Sequence, residues 1–142
     1  MSQSTADTFR SGELTTSGFD GCSEEIKEEF RKNEFNGRVG SALVFLNERV
    51  RVWNMELAPG EKMPVHRHVP DNFWTAVTAG RCLQRTYDGT TCESDYEAGL
   101  TRFYEVGAGE FALHNLENVG STVMIFTTVE FKNSANKPLD IS

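Results

Sequence analysis

Apolar and polar positions change rhythm once along this chain, near residue 39. Before that point large apolar residues are sparse. Residues 1–20 are rich in Ser, Thr, Gly and Asp, with Phe9, Leu14 and Phe19 as the large apolar anchors, which is the composition of a flexible N-terminal arm. Residues 21–38 carry signals for one short helix. Ser23 is its N-cap, Glu24 and Glu25 sit in the first turn, Arg31 and Lys32 in the last, and Asn36-Gly37 stops it. Ile26 and Phe30, four residues apart, give a narrow apolar stripe suited to packing on the outside of a larger body.

From residue 39 to about 132 the rhythm becomes one of short apolar and β-branched runs cut by Gly, Pro, Asn and Asp. The spacing predicts strands over 42–46, 50–57, 73–79, 82–87, 90–96, 100–106, 111–116 and 122–131. Asp88-Gly89 between two of these runs is a hairpin signal. Many short strands at this spacing predict an all-β barrel or sandwich rather than βαβ units. Trp53, Met55 and Leu57 share one face of their strand, the expected core face. Residues 133–142 read as a polar C-terminal tail.

At 142 residues the chain is one domain by length and large enough to bury a core without staples. Fourteen basic against 21 acidic residues give a net charge of −7. That argues against a nucleic-acid binder, which needs a basic patch, and weakly against an anionic membrane surface, while a local basic pocket for a small anion stays open. No apolar run approaches the roughly 20 residues that span a bilayer, and Met1–Thr5 lack the basic flank of a signal peptide. Three cysteines, Cys22, Cys82 and Cys92, are a sparse and odd set, as in a reducing, cytoplasmic compartment. With Asp88 and Gly89 as the two central turn residues, Cys82 would face Asp95 and Cys92 would face Arg85, so no hairpin disulfide is expected.

The chemistry lies in three histidines, the only ones in the chain, two of them in His66-Arg67-His68. In a strand, positions i and i+2 point to one face, so two imidazoles can reach one ion. His114 is the one histidine left to join them. Imidazole suits Zn, Cu, Fe and Ni. A histidine pair in a strand can equally be a satisfied or solvated pair, so the framing residues matter.

Gly60 is followed by five residues, then His66-Arg67-His68, then four residues, Phe73, six residues and Gly80. Gly109 precedes His114, and Asn118 follows it after three residues. In this framing the chain resembles the cupin superfamily, and in particular small single-domain bacterial cupins, over about two-thirds of its length. Two elements depart from the pattern. Phe73 stands where a glutamate is usual, and the Pro-x-Gly expected before the second-motif histidine is replaced by Glu105-Val106-Gly107-Ala108-Gly109.

The resemblance implies a jelly-roll-like, double-stranded β-helix barrel with a short N-terminal helix. It also implies one divalent transition metal per chain on His66, His68 and His114. Iron(II) is favoured, and Mn, Ni, Zn or Cu fit the same donors. Without the glutamate three outcomes stay open: a three-histidine site with open water positions, a site completed by Asp71, or a weakened site. Phe73 and Thr75 are expected to face inward with the histidines, and Arg102 and Tyr104 are candidates to orient a substrate. Gln84 is expected on the outer face. The implied function is a metal-dependent enzyme on a small organic acid or diketone, with dioxygenase-like chemistry placed ahead of a lyase or isomerase. A non-catalytic small-molecule-binding cupin is the rival from another class. The resemblance further implies a homodimer.

Overall fold

The computed structural model of the chain describes residues 13–16, by backbone alone, and residues 23–141. In chain order the elements are β1 (Glu13–Thr16), α1 (Glu24–Lys32), β2 (Ala42–Leu46), β3 (Val50–Leu57), β4 (Lys62–His68), β5 (Asn72–Ala76), β6 (Gly80–Thr86), β7 (Thr91–Tyr96), β8 (Thr101–Tyr104), β9 (Ala112–Asn118) and β10 (Met124–Phe131). They form two five-stranded antiparallel sheets, ordered β1-β7-β6-β9-β4 and β2-β3-β10-β5-β8. Within the expected arm, Glu13–Thr16 is a strand, paired antiparallel with β7. The rest of the arm, with Phe9 and Phe19, and also Cys22, lies outside the described residues.

Alternation explains the barrel wall. Along β10, Met124, Phe126, Thr128 and Glu130 are buried while the residues between them are only partly so, the period of two expected of a strand with one face on a core. Met55 and Leu57 from β3 meet Met63, Ala76, Tyr96, Leu116, Met124 and Phe126 in a core drawn from both sheets. Strand β9 breaks the alternation, with six of its seven residues buried. Its outer face is covered by α1, where Phe30 packs on Val65 and Leu113. Glu29 of α1 accepts from the Val65 amide at 3.1 Å and from Asn115 Nδ2 at 3.3 Å. Ser23 caps α1, its hydroxyl accepting from the Ile26 amide at 3.2 Å, a contact worth about 1 kcal/mol.

Two irregularities set which side chains face inward. The β4–β9 register runs Met63↔Leu116 and then His66↔His114, with a bulge between. An extra residue on one strand shifts the phase of its side chains, so Met63 and the two histidines all turn to the interior. The β6–β7 hairpin differs from the expected two-residue turn. Gln84 pairs with Cys92 and Arg85 with Thr91, so Tyr87, Asp88 and Gly89 form a three-residue loop with Gly89 at φ +85°. A slip of one residue exchanges the faces of a strand. Cys82 therefore faces Ser94, not Asp95. Both Cys82 and Cys92 are free thiols, as expected.

The C-terminal residues are tied to the barrel. Asn136 Nδ2 donates to the carbonyls of Val69 and Gly107, and Arg51 Nη1 donates to Leu139 O at 2.9 Å. Among the described residues no helix is long and apolar enough to cross a membrane.

Candidate metal centre

Three strand positions converge at the β4–β9 end of the interior. His66 and His68 are two apart on β4, and His114 is the direct cross-strand partner of His66. All three are buried, at 1%, 3% and 3% exposure. One ring nitrogen from each lies within 4.8 Å of the others. His68 Nε2 and His114 Nε2 are 3.1 Å apart, close to the roughly 3 Å separating two nitrogens that each sit about 2.1 Å from a shared ion. His66 Nδ1 lies 2.8 Å from the Pro64 carbonyl. A carbonyl only accepts, so Nδ1 carries the proton and the Nε2 lone pair is left for an ion. That is the tautomer lock common to ligating histidines.

The electrostatics favour neutral rings. Burial lowers His66 to about 4 against a weaker opposing pull from the Pro64 carbonyl and Glu29. Burial, and then the charges of neighbouring histidines, hold His68 and His114 well below 6.5. Near neutral pH all three offer lone pairs without losing a proton first, which suits a divalent transition metal. Among the described residues no acidic or thiol side chain joins this cluster.

A cavity of about 270 Å³ opens from the histidines. Trp74, Tyr96 and Phe126 form its aromatic wall, with Trp74 stacked on Phe126 at 4.9 Å and Tyr96 edge-on to Phe126 at 4.9 Å. Arg81 and Arg102 border it. Tyr104 also lines it, its phenol pushed up to about 12 chiefly by burial, so it stays protonated.

Of the residues expected around the ion, Arg102 and Tyr104 line the cavity, and Phe73 and Thr75 do not. On β5 the inward positions are 72, 74 and 76, where Asn72 and Ala76 are fully buried. Phe73 packs outside against Phe131, with centroids 6.0 Å apart, and Thr75 Oγ1 meets Thr101 Oγ1 at 2.8 Å on an exposed ladder. Counting three residues rather than four after His68 brings Asn72 to the inward place. Its Oδ1 is buried without a hydrogen-bond partner. Gln84 lines the cavity as well, against the expectation of an outer face. Asp71 stands apart from the cluster. Its Oδ1 accepts from the Val106 amide at 2.8 Å and its own amide donates to Ser134, the turn role its place after Pro70 suggests. Nothing in the sequence marks Phe126 or Tyr96 as cavity residues, whereas strict alternation from Asn72 marks Trp74.

One framing residue from each motif, Asn118 and Gly80, has structural work. Asn118 Nδ2 donates to the carbonyls of Leu57 and Thr122, and Asn118 Oδ1 accepts from the Gly120 amide. Gly80 leaves room for the Tyr96 hydroxyl, which would lie 2.6 Å from any Cβ there.

No protein-family description matches the sequence, and no curated protein matches it. Solved structures do. A cupin domain protein from Bordetella pertussis Tohama I is 28% identical, covering 64% of this chain and 90% of its own, at a TM-score of 0.56. An uncharacterized conserved protein with a double-stranded β-helix domain from Klebsiella pneumoniae subsp. pneumoniae MGH 78578 covers 94% of this chain and 91% of its own, at 18% identity and a TM-score of 0.52.

Proposed function

We propose that this chain, a cupin by fold, is an enzyme that acts on a small organic acid or diketone through one divalent transition metal held by His66, His68 and His114. The observation that carries the reading is the convergence of three buried imidazoles on the floor of an aromatic-walled cavity. A bound divalent ion would supply Lewis acidity there and, as iron(II), redox chemistry with dioxygen. With three neutral donors and no carboxylate in the cluster, the ion's charge stays available to an anionic or enolisable substrate. Iron(II) and dioxygenase-like chemistry are the finer form of this proposal.

The protein's own groups have definable parts. His66 Nδ1–H holds its ring to the Pro64 carbonyl, which fixes the direction of Nε2. Trp74 hydrogen-bonds the Tyr104 phenol, and its stack on Phe126 holds a flat apolar surface along the cavity. That wall excludes water and strengthens electrostatic interactions near the histidines. Trp74 and Phe126 leave the cavity open, which favours a substrate site over a filled, purely structural barrel.

Two further proposals concern the setting. Phe73, Phe103 and Phe131 form an apolar outer patch, with Phe103 59% exposed, which supports a homodimer closed over that sheet. The free thiols of Cys82 and Cys92 support a reducing, cytoplasmic setting.

The test is metal analysis of protein purified without a histidine tag, together with oxygen uptake on a panel of keto acids and diketones. The expected result is one ion per chain and uptake with at least one class. Absence of bound metal after reconstitution overturns the reading. Full metal occupancy with no uptake on any substrate overturns the oxygenase part and leaves a lyase or isomerase.

A further inference from the structure

Two guanidinium groups border the cavity, and they differ in one respect. Arg81 is neutralised. Its Nε and Nη2 donate to Glu93 at 3.1 and 2.8 Å, and its Nη1 meets Asp95 at 2.9 Å. Arg102 has no carboxylate in ion-pair range among the described residues. Its place is nonetheless fixed. Arg102 is the cross-strand partner of Trp74, and directly paired residues share a face of the sheet. Tyr104, two positions along β8, lies on that face too and holds a hydrogen bond with Trp74. The exposed cation therefore stands beside the Trp74–Phe126 stack, and both line the cavity that the histidines also line.

The charge of the whole chain sharpens the point. At −7 its field repels anions from most of the surface. Away from the histidines, a small anion can be retained at the cavity only by a local positive group, and the acidic pair on Arg81 removes that residue from the role. A planar guanidinium presents parallel N–H donors that match a carboxylate in a two-point contact, and such charge-assisted bonds are about twice as strong as neutral ones.

We propose that Arg102 is the specificity-determining residue of this cavity and binds a carboxylate at the end of the substrate remote from the histidines. The substrate class is then an elongated molecule in three parts: a chelating head, a flat apolar middle lying on Trp74, and a carboxylate tail. This rests on the metal-dependent reading above for its head group only; the tail contact is a property of Arg102 and its neighbours.

The test is calorimetric titration of the full chain, with and without zinc, using benzohydroxamate and 4-carboxybenzohydroxamate. Both carry the same chelating head and flat ring, and one adds the tail carboxylate. With zinc-loaded wild type the carboxylated probe is expected to bind about tenfold tighter, as one charge-assisted contact allows. Arg102→Gln brings the two probes to the same affinity, Arg102→Lys retains part of the preference, and added salt shrinks it. Equal affinities in wild type, or a preference that survives Arg102→Gln, overturn the proposal. The zinc-free arm separates the two ideas. Zinc-dependent binding of benzohydroxamate without a carboxylate preference sinks Arg102 alone. A carboxylate preference that depends on Arg102, with the affinity of both probes unchanged by zinc, sinks the metal reading alone. No binding of either probe under any condition sinks both.

Discussion

His66 and His114 face each other directly across the β4–β9 ladder, their ring centroids 4.6 Å apart. They come from segments 48 residues apart in sequence (114 − 66), so the pair exists only when that ladder has formed. His68, two positions along β4, has its centroid 5.0 Å from His66 and 5.1 Å from His114. The three rings make a triangle with one corner on β9.

Removing a corner should empty the site without undoing the barrel. His66→Ala and His114→Ala are each expected to weaken metal binding by more than about 100-fold, since losing a mere supporting partner of a ligand already costs 10- to 100-fold. The far-ultraviolet circular dichroism should stay that of the wild type, because the core drawn from both sheets does not include these rings. Elemental analysis of each variant checks this. Full occupancy in His114→Ala would mean that the third ligand lies elsewhere.

Acid should destabilise the metal-free protein. The unfolded chain takes up histidine protons near pH 6.5, whereas the folded chain refuses them on His66 until about pH 4, and burial holds His68 and His114 well below 6.5 too. The unfolded state thus binds more protons in this window. Stability is whole above about pH 6.5 and declines as pH falls toward 4. His66 alone, lowered from 6.5 to about 4, corresponds to about 3 kcal/mol. Urea midpoints of chelator-treated protein at pH 7.5 and pH 5 measure it, and equal midpoints would contradict the burial of neutral rings.

Phe73→Glu should leave metal affinity at the wild-type value. Position 73 points away from the cavity and into the outer patch with Phe131 and Phe103. A carboxylate there cannot reach the histidines, but it places charge in the patch proposed above for a homodimer. Sedimentation should show a shift toward monomer, while metal titration stays unchanged. Tighter metal binding in the variant would restore position 73 to the ion's surroundings.

A buried ion pair away from the cavity should prove sensitive to losing one member. Glu130 Oε1 accepts from Arg51 Nε at 3.0 Å and from Trp53 Nε1 at 2.7 Å, with all three residues buried. Glu130→Gln leaves the guanidinium buried without an anion and is expected to cost about 3–5 kcal/mol in guanidinium unfolding. Adding Arg51→Met removes the stranded charge, so the double variant should be more stable than Glu130→Gln alone. A double variant that is less stable would mean Arg51 contributes mainly through its hydrogen bond to the Leu139 carbonyl.

The sequence by itself determined the class of the fold and the identity of the triad. Period-two runs with turn residues between them specify strands regardless of what they pack on, and Ser23 with Glu24 and Glu25 specifies a helix start through local hydrogen bonds and charge. With three histidines in the chain, the members of the cluster could be named from the inventory, and that they would hold an ion is what the resemblance implies. Tertiary structure decided everything that depends on phase. Whether residue 73 or 74 faces the cavity turns on one residue in the link between β4 and β5, just as the three-residue loop at Gly89 decides which side of β7 meets Gln84. Spacing motifs tolerate such a difference of one, and side-chain direction does not, because each step along a strand reverses the face. The same holds for Arg102 and Arg81. Both are cations on strands in the sequence, and only the folded register gives Glu93 and Asp95 to one of them and Trp74 to the other. Pairing between distant segments is a long-range property, so the chain's own local preferences carry no record of it.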